Sequence, residues 1–437
     1  MKKKSTSQSA FFNLRILTAS VFCLLGIAVA LFAQGKGTKQ TQTNRSGTAQ
    51  DAPGTQRPDV VQMIGPVMMN QDLRSIPYVP ATREPEIRLR RHPRLEGSVP
   101  PPLPPSSPWL QNLMKRVLRP APTMPGPLLT FEGIGDTCGC QPSDSEGDVG
   151  PNHYVEAINL SFKIFDKNGG TLAGPISYNS FFSGLTGTPC ANANDGDPYV
   201  IYDQQADRWM ISDFAFPAFP GTSFFQCIGV SQSPDPVAGP WALYAIQVDP
   251  ANPTFLGDYP KFGVWNDGGT QNAYFLTMNL FNMPVNGFQG VRAYALDRAS
   301  MLTGGPANAI GFTLPAADLG VSYSFLAATF RTGSPPPAGR DEFVLAIDSP
   351  NSGGVTVTQV HGRLFHVDFI TPSNSTFGVG PTHQPNAEIS VNGFIDAFDN
   401  SFNTDLVPQL GTSQRLDTVG DRLFTPVVYQ NLSGTES

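Results

Sequence analysis

The chain has 437 residues, of which 40% are hydrophobic and 14% charged, with 43 Gly and 42 Pro. So much Gly and Pro with so little charge excludes a helical bundle or coiled coil, while 30 Phe, 11 Tyr and 4 Trp are enough to bury a core. Residues 1–127 hold 17 Lys/Arg against 6 Asp/Glu and residues 128–437 hold 11 against 29, so a basic segment precedes an acidic body that would repel nucleic acid.

The first element, residues 1–33, reads as a secretory signal peptide. Lys2, Lys3, Lys4 and Arg15 form a basic start, residues 16–33 carry no charge, and Ala28-Val29-Ala30 and Ala33 offer small-residue cleavage points. An uncleaved anchor is the alternative, although 18 uncharged residues are short of the ~20 a span wants. No other stretch is apolar enough to cross a membrane as a helix. The protein is therefore expected to be exported, secreted or held at the cell surface or periplasm.

Residues 34–127 hold 17 Pro and read as a disordered, Pro- and Arg-rich linker. Val99-Pro100-Pro101-Pro102-Leu103-Pro104-Pro105 favours extended polyproline II. Arg88, Arg90, Arg91 and Arg94 make a solvated basic cluster, with contact to an anionic envelope polymer as the functional alternative. Leu110, Leu113, Met114 and Val117 share one face of a short helix expected over 108–119.

From residue 128 short apolar runs alternate with Gly, Pro, Asn and Asp. Strands are expected at 153–165, 199–202, 208–214, 224–230, 241–248, 261–264, 273–278, 290–295, 342–347, 355–360 and 363–369. Helical periodicity is nearly absent. The body holds 23 Asp and only 6 Glu, as turns and strand ends prefer. Residues 128–437 are thus expected to be all-β.

Gly-Asp recurs where apolar runs begin, at Gly147-Asp148, Gly196-Asp197, Gly257-Asp258 and Gly420-Asp421. Units of about 50 residues with several strands each suit the blades of a β-propeller, and a stacked sandwich is the alternative. A second phrase closes strands, as in Ile164-Phe165-Asp166, Ile201-Tyr202-Asp203 and Ala295-Leu296-Asp297.

Export makes the cysteines informative. Apart from Cys23, four remain, and an even number in an exported chain favours disulfides. Cys190–Cys227 is the preferred long bridge and Cys138–Cys140 the local one, with free thiols or a metal site as the alternatives. Asp144, Glu146 and Asp148 stand at alternate positions of an acidic turn and are the candidate calcium ligands. An acidic solvated turn is the other reading. Asn194-Asp195-Gly196-Asp197 reads as a turn leading into a strand or as a ligand loop at a blade edge. Trp209 and Trp265 read as core, and so, over a ligand-facing role, do Tyr259, Pro260 and Lys261.

The phrases 146–155 (EGDVGPNHYV), 194–198 with Tyr202-Asp203 and Asp207-Arg208-Trp209, and 258–265 (DYPKFGVW) resemble a family of large exported, mostly uncharacterised bacterial proteins of β-propeller type. The resemblance spans about residues 128–437 and implies the fold without assigning an activity. Members of that family continue past the segment matching 420–437, so this chain is expected to be a fragment lacking C-terminal strands.

There is no His-Glu-x-x-His helix, no Gly-x-Ser-x-Gly elbow, no phosphate loop and no Ser-x-Asp-x-Gly-x-x-Trp box. His153, His361, His366 and His383 are scattered and read as structural. The leading expectation is therefore a non-catalytic exported module that binds carbohydrate, envelope polymer or protein, with calcium as its one cofactor. A glycan-cleaving enzyme, which needs only two suitably spaced carboxylates, and a structural surface module are the alternatives.

Overall fold

The computed structural model of the protein describes residues 56–78, 125–140, 143–218, 221–282, 287–349, 356–394, 405–408, 413, 415–417, 422–425 and 427–437. The signal segment, the Arg cluster, the polyproline run and the helix expected over 108–119 lie outside these residues. Among the described residues the structure is nearly all β, with helices of a single turn.

Four antiparallel sheets follow one another along the chain. The first holds β3 (Glu146–Val149), β4 (His153–Ile158), β5 (Ser161–Asp166) and β6 (Thr171–Ser177). The second holds β7 (Gly196–Asp203), β8 (Arg208–Ala215), β9 (Phe225–Ser231) and β10 (Trp241–Gln247). The third holds β11 (Phe255–Asn266), β12 (Asn272–Asn282), β13 (Gly287–Asp297) and β14 (Asn308–Pro315). The fourth is built on β15 (Ser322–Gly333), β16 (Glu342–Asp348) and β17 (Val357–His366), with β18 (Thr376–Phe377) and β19 (Ala387–Phe394) both on β17. β20 (Asp405–Pro408) and β21 (Arg415–Asp417) form a hairpin, and β22 (Val427–Leu432), paired with β23 (Thr435–Glu436), lies parallel to β15.

The first strand of each sheet touches the first strand of the next: β3 meets β7, β7 meets β11 and β11 meets β15. Arg331 of β15 returns to Asp148 of β3 at 2.5 Å and closes the ring. Sequential meanders arranged around their own first strands are propeller-like, as the repeated Gly-Asp phrases imply.

The core lies between neighbouring sheets. Phe162, Phe181, Trp209 and Trp241 fill the space between the first and second. Met210, Tyr244, Phe262 and Tyr274 fill that between the second and third, and Trp265, Phe275, Phe312 and Phe365 that between the third and fourth. Both faces of the middle strands are therefore buried, and their sequences read as largely apolar runs such as 273–281 in β12. The run 153–165 is a hairpin rather than one strand, because Leu160 takes a left-handed turn conformation at φ 74°. The runs 355–360 and 363–369 fall largely on the single strand β17.

The segment 34–127 is not a linker throughout. β1 (Asp59–Gln62) adds to the outer edge of the third sheet beside β14, and β2 (Ile64–Met69) adds to the outer edge of the second beside β10. Between them Met63 is 2% exposed and enters the core between these two sheets. Upstream, the Gln56 side-chain amide donates to the carbonyls of Phe377, Gly378 and Gly380 on the fourth sheet. Downstream, Leu73 is buried against the first sheet. Residues 56–76 thus form a strap across four sheets. Pairing with the strap covers backbone groups that two edge strands would otherwise leave open. Gly65, at φ +112°, permits the crossing, since a Cβ there would lie 2.5 Å from the Leu243 carbonyl oxygen.

Candidate functional site at the ring of first strands

Three first strands share one irregularity. Pairing shifts between Gly196 and Tyr199 in β7, between Asp258 and Lys261 in β11, and between Tyr323 and Leu326 in β15. Each shift contains a non-glycine residue with positive φ: Asp197 at 46°, Tyr259 at 57° and Ser324 at 54°. A bulge of this kind bends its strand and re-aims a side chain. The conformation is costly for such residues and persists only where neighbours hold it. Here they do. The Asp197 N–H donates to Asn159 Oδ1 at 3.0 Å and the Ser324 N–H to Asn279 Oδ1 at 2.9 Å. The Tyr259 N–H donates to Asp197 Oδ2 at 3.3 Å, linking one bulge to the next.

Beside the bulges stands β3, with Glu146 and Asp148 on one face and Gly147 and Val149 on the other, as strand alternation requires. Two positions on one face of a strand lie about 6.6 Å apart. The environments of the two carboxyl groups differ. Burial pushes Glu146 above the ordinary carboxylate range and Asp148 adds to the rise, while Lys261, the Gly147 N–H and Arg331 oppose it. Asp148 Oδ2 accepts from the Tyr202 N–H at 2.8 Å and from Arg331 at 2.5 Å, and its Oδ1 accepts from the Val149 N–H at 2.8 Å.

The remaining groups are aromatic and cationic. Lys261 Nζ lies 4.4 Å from the centre of the Tyr259 ring and 5.2 Å from that of Tyr199. The Arg422 guanidinium lies 4.8 Å from the Tyr259 ring, and the Tyr259 hydroxyl donates to the Leu423 carbonyl at 3.1 Å. Burial, aided by Glu146, lifts the Tyr199 phenol well above its usual range, so it stays protonated.

The carboxyl groups of the acidic turn have partners within the protein. Asp144 Oδ2 accepts from Asn159, burial raises Glu146, and Asp148 is paired with the Arg331 guanidinium. Among the described residues no three His, Cys, Asp or Glu side chains form a group that could hold a metal. Asp195 and Asp197 part company. Asp195 Oδ2 accepts from the Phe216 N–H, while Asp197 sits in the bulge. Trp209 and Trp265 are core, as expected. Tyr259 and Lys261 are not, being only half-buried beside Glu146.

The cysteines lie as the preferred pairing requires. Cys190 and Cys227 have Cα atoms 5.7 Å apart, Cys138 and Cys140 5.2 Å, and both pairs are bonded. Disulfides are compatible with export, and among the described residues no helix is long and apolar enough to cross a membrane. The histidines serve the fold. His361 bridges Asp348 and Glu388, His366 meets Asp341 at 2.8 Å, and His383 bonds the Phe377 carbonyl. Arg331, Tyr199 and Arg422 escaped the sequence reading. Only the Gly-Asp phrases marked the neighbourhood, and nothing local links Arg331 to an aspartate 183 residues away.

No protein-family model matches the chain, and no curated protein matches it. Among solved structures it is similar to a GH43 endo-arabinanase from Bacillus licheniformis, at 11% identity over 60% of this chain and 85% of that one, with a TM-score of 0.30. It is also similar to an α-L-arabinofuranosidase from Lactobacillus brevis, at 13% identity over 54% and 72% of the two chains, TM-score 0.30. A third is an exo-1,5-α-L-arabinanase from a bovine ruminal metagenomic library, at 9% identity over 58% and 79%, TM-score 0.29. These neighbours are glycan-cleaving enzymes by name, and the leading expectation of a non-catalytic binding module is corrected accordingly. Likeness this slight transfers neither activity nor substrate, so the case for catalysis rests on the carboxyl groups themselves.

Proposed function

We propose that the protein cleaves glycosidic bonds with Glu146 and Asp148 as its working pair. The observation that supports this is the contrast between two carboxyl groups on one strand face. Glu146 is half-buried, and burial raises it above the ordinary carboxylate range. Asp148 is paired with Arg331 and held by two backbone N–H groups. Two carboxyls with such different partners suit division into an acid and a base. Glu146 then protonates the departing glycosidic oxygen. Asp148, with one Oδ1 lone pair not engaged by the bonds above, takes the proton from the attacking water. Room for that water between the two carboxyl groups would give inversion at the anomeric carbon. The ordered bulges beside β3 add half-buried positions, Asp197 and Tyr259, from which side chains can meet a sugar.

General-acid assistance matters only when the leaving group needs a proton. E146Q is expected to slow cleavage of an alkyl-linked or sugar-linked bond by about 10²–10⁴-fold. It should slow an aryl glycoside with an acidic phenol far less. Equal losses on both substrates would remove Glu146 as the acid. Turnover of neither substrate by the wild-type chain would remove the proposal.

A further inference from the structure

Lys261 is a charge that the proposed cleavage chemistry does not use. It stands on β11 just past the bulge at Tyr259, with its ammonium 4.4 Å and 5.2 Å from the ring centres of Tyr259 and Tyr199. Among the described residues it makes no ion pair, whereas Arg331 is paired with Asp148. It is close enough to Glu146 to oppose the rise that burial gives that carboxyl, without forming an ion pair with it. The ring of first strands therefore presents an ammonium next to the two carboxyl groups, inside a body whose net charge is negative. Two aromatic faces fix its position, and among the described residues no carboxylate lies within ion-pair distance of its three donors. An anionic ligand would supply one.

We infer that Lys261 is the specificity determinant for a sugar unit carrying an acidic group, bound next to the bond that Glu146 protonates. The ligand class is an acidic glycan, with a uronate carboxylate or a sulfate ester as the two sources of the charge. This rests on the proposed cleavage, but its recognition step is measured separately. A merely positioning role is the rival. A lysine that only held Glu146 would shift the pH profile when replaced and leave ligand preference alone.

The test uses the full chain as E146Q, to suppress cleavage, and calorimetric titration with three size-matched oligosaccharides: an oligogalacturonate, a sulfated galactan fragment and a neutral galactan fragment. The inference expects one acidic oligomer to bind at least tenfold tighter than the neutral one. The acidic oligomer that wins identifies the carboxylate or the sulfate as the natural group. Adding K261M should erase that ratio while leaving the weaker neutral affinity within about twofold, and K261R should restore part of it. Circular dichroism and melting confirm that each variant is folded. Neutral binding equal to acidic binding, a ratio that survives K261M, or no binding of any of the three would overturn the inference. Failure of the cleavage proposal looks different. The wild-type chain would then bind the acidic oligomer through Lys261 and release no reducing ends from it.

Discussion

The strap makes a sharp claim about a residue that a linker would leave idle. Met63 lies between β1 and β2, is 2% exposed, and packs with Tyr244, Phe262 and Tyr274 at the joint of the second and third sheets. Its backbone N–H donates to the Ala307 carbonyl at 3.0 Å, which fixes its position independently of the side chain. Met63→Ala keeps that bond and deletes a buried thioether, so the loss is lost burial plus a cavity. Such truncations cost about 2–5 kcal/mol. Thioether flexibility lets neighbours relax, which favours the lower half, about 2–3 kcal/mol. Val60, on the exposed face of β1 at 54%, is the internal control, and Val60→Ala should cost under about 0.5 kcal/mol. Both variants belong in one urea-denaturation series followed by tryptophan fluorescence, with equal slopes required before midpoints are compared. A midpoint for Met63→Ala that coincides with wild type and Val60→Ala would show that residues 59–69 are not part of the folded body.

Three further outcomes follow from the structure. Replacing Cys190 and Cys227 by Ser opens a cross-link between positions 37 residues apart and should cost about 4 kcal/mol on the chain-entropy account, read as a lowered urea midpoint that reductant reproduces in the wild type. Asp213 and Glu342 are fully buried, and burial raises both well above the ordinary range. A raised acid contributes stability that is complete below its unfolded pKa and is lost as pH rises towards its folded value. Asp213→Asn and Glu342→Gln should therefore match the wild type near pH 4 and exceed it increasingly towards neutral pH. Parallel melting curves at every pH would refute this. Because Arg331 occupies Asp148, chelator should leave the melting temperature within about 1 °C, and a fall that calcium reverses would restore the metal reading.

The strands were legible because sheets buried on both faces demand largely apolar runs, as at Trp241–Gln247 and Asn272–Asn282. β15 escaped notice because the Ala327-Ala328 stretch in Ser322–Gly333 carries little β signal. The strap was written in Val60, Val61, Ile64 and Val67, but the surrounding Pro and Arg suggested a linker, and edge pairing gives a short strand no periodicity of its own. At the site, Gly-Asp marked where the first strands begin without revealing why. On β7 and β11 the phrase stands at a bulge with a left-handed residue, and only Gly-Asp-Pro at 196–198 hinted at backbone constraint. The acidic turn was read as a cation site because alternation places Glu146 and Asp148 together. What alternation cannot show is the guanidinium that arrives from β15. Long-range charge pairing is invisible to local spacing, and here it turns a candidate calcium loop into a candidate acid pair.

The measurement that bears most directly on the central claim is reducing-end release from a panel of plant and bacterial polysaccharides by the full chain. Wild type, E146Q and D148N should be assayed side by side, with folding confirmed by circular dichroism. The account predicts release by the wild type from at least one glycan, with each variant reduced by about 10²-fold or more. No release from any glycan, or variants that cleave at the wild-type rate, would contradict it.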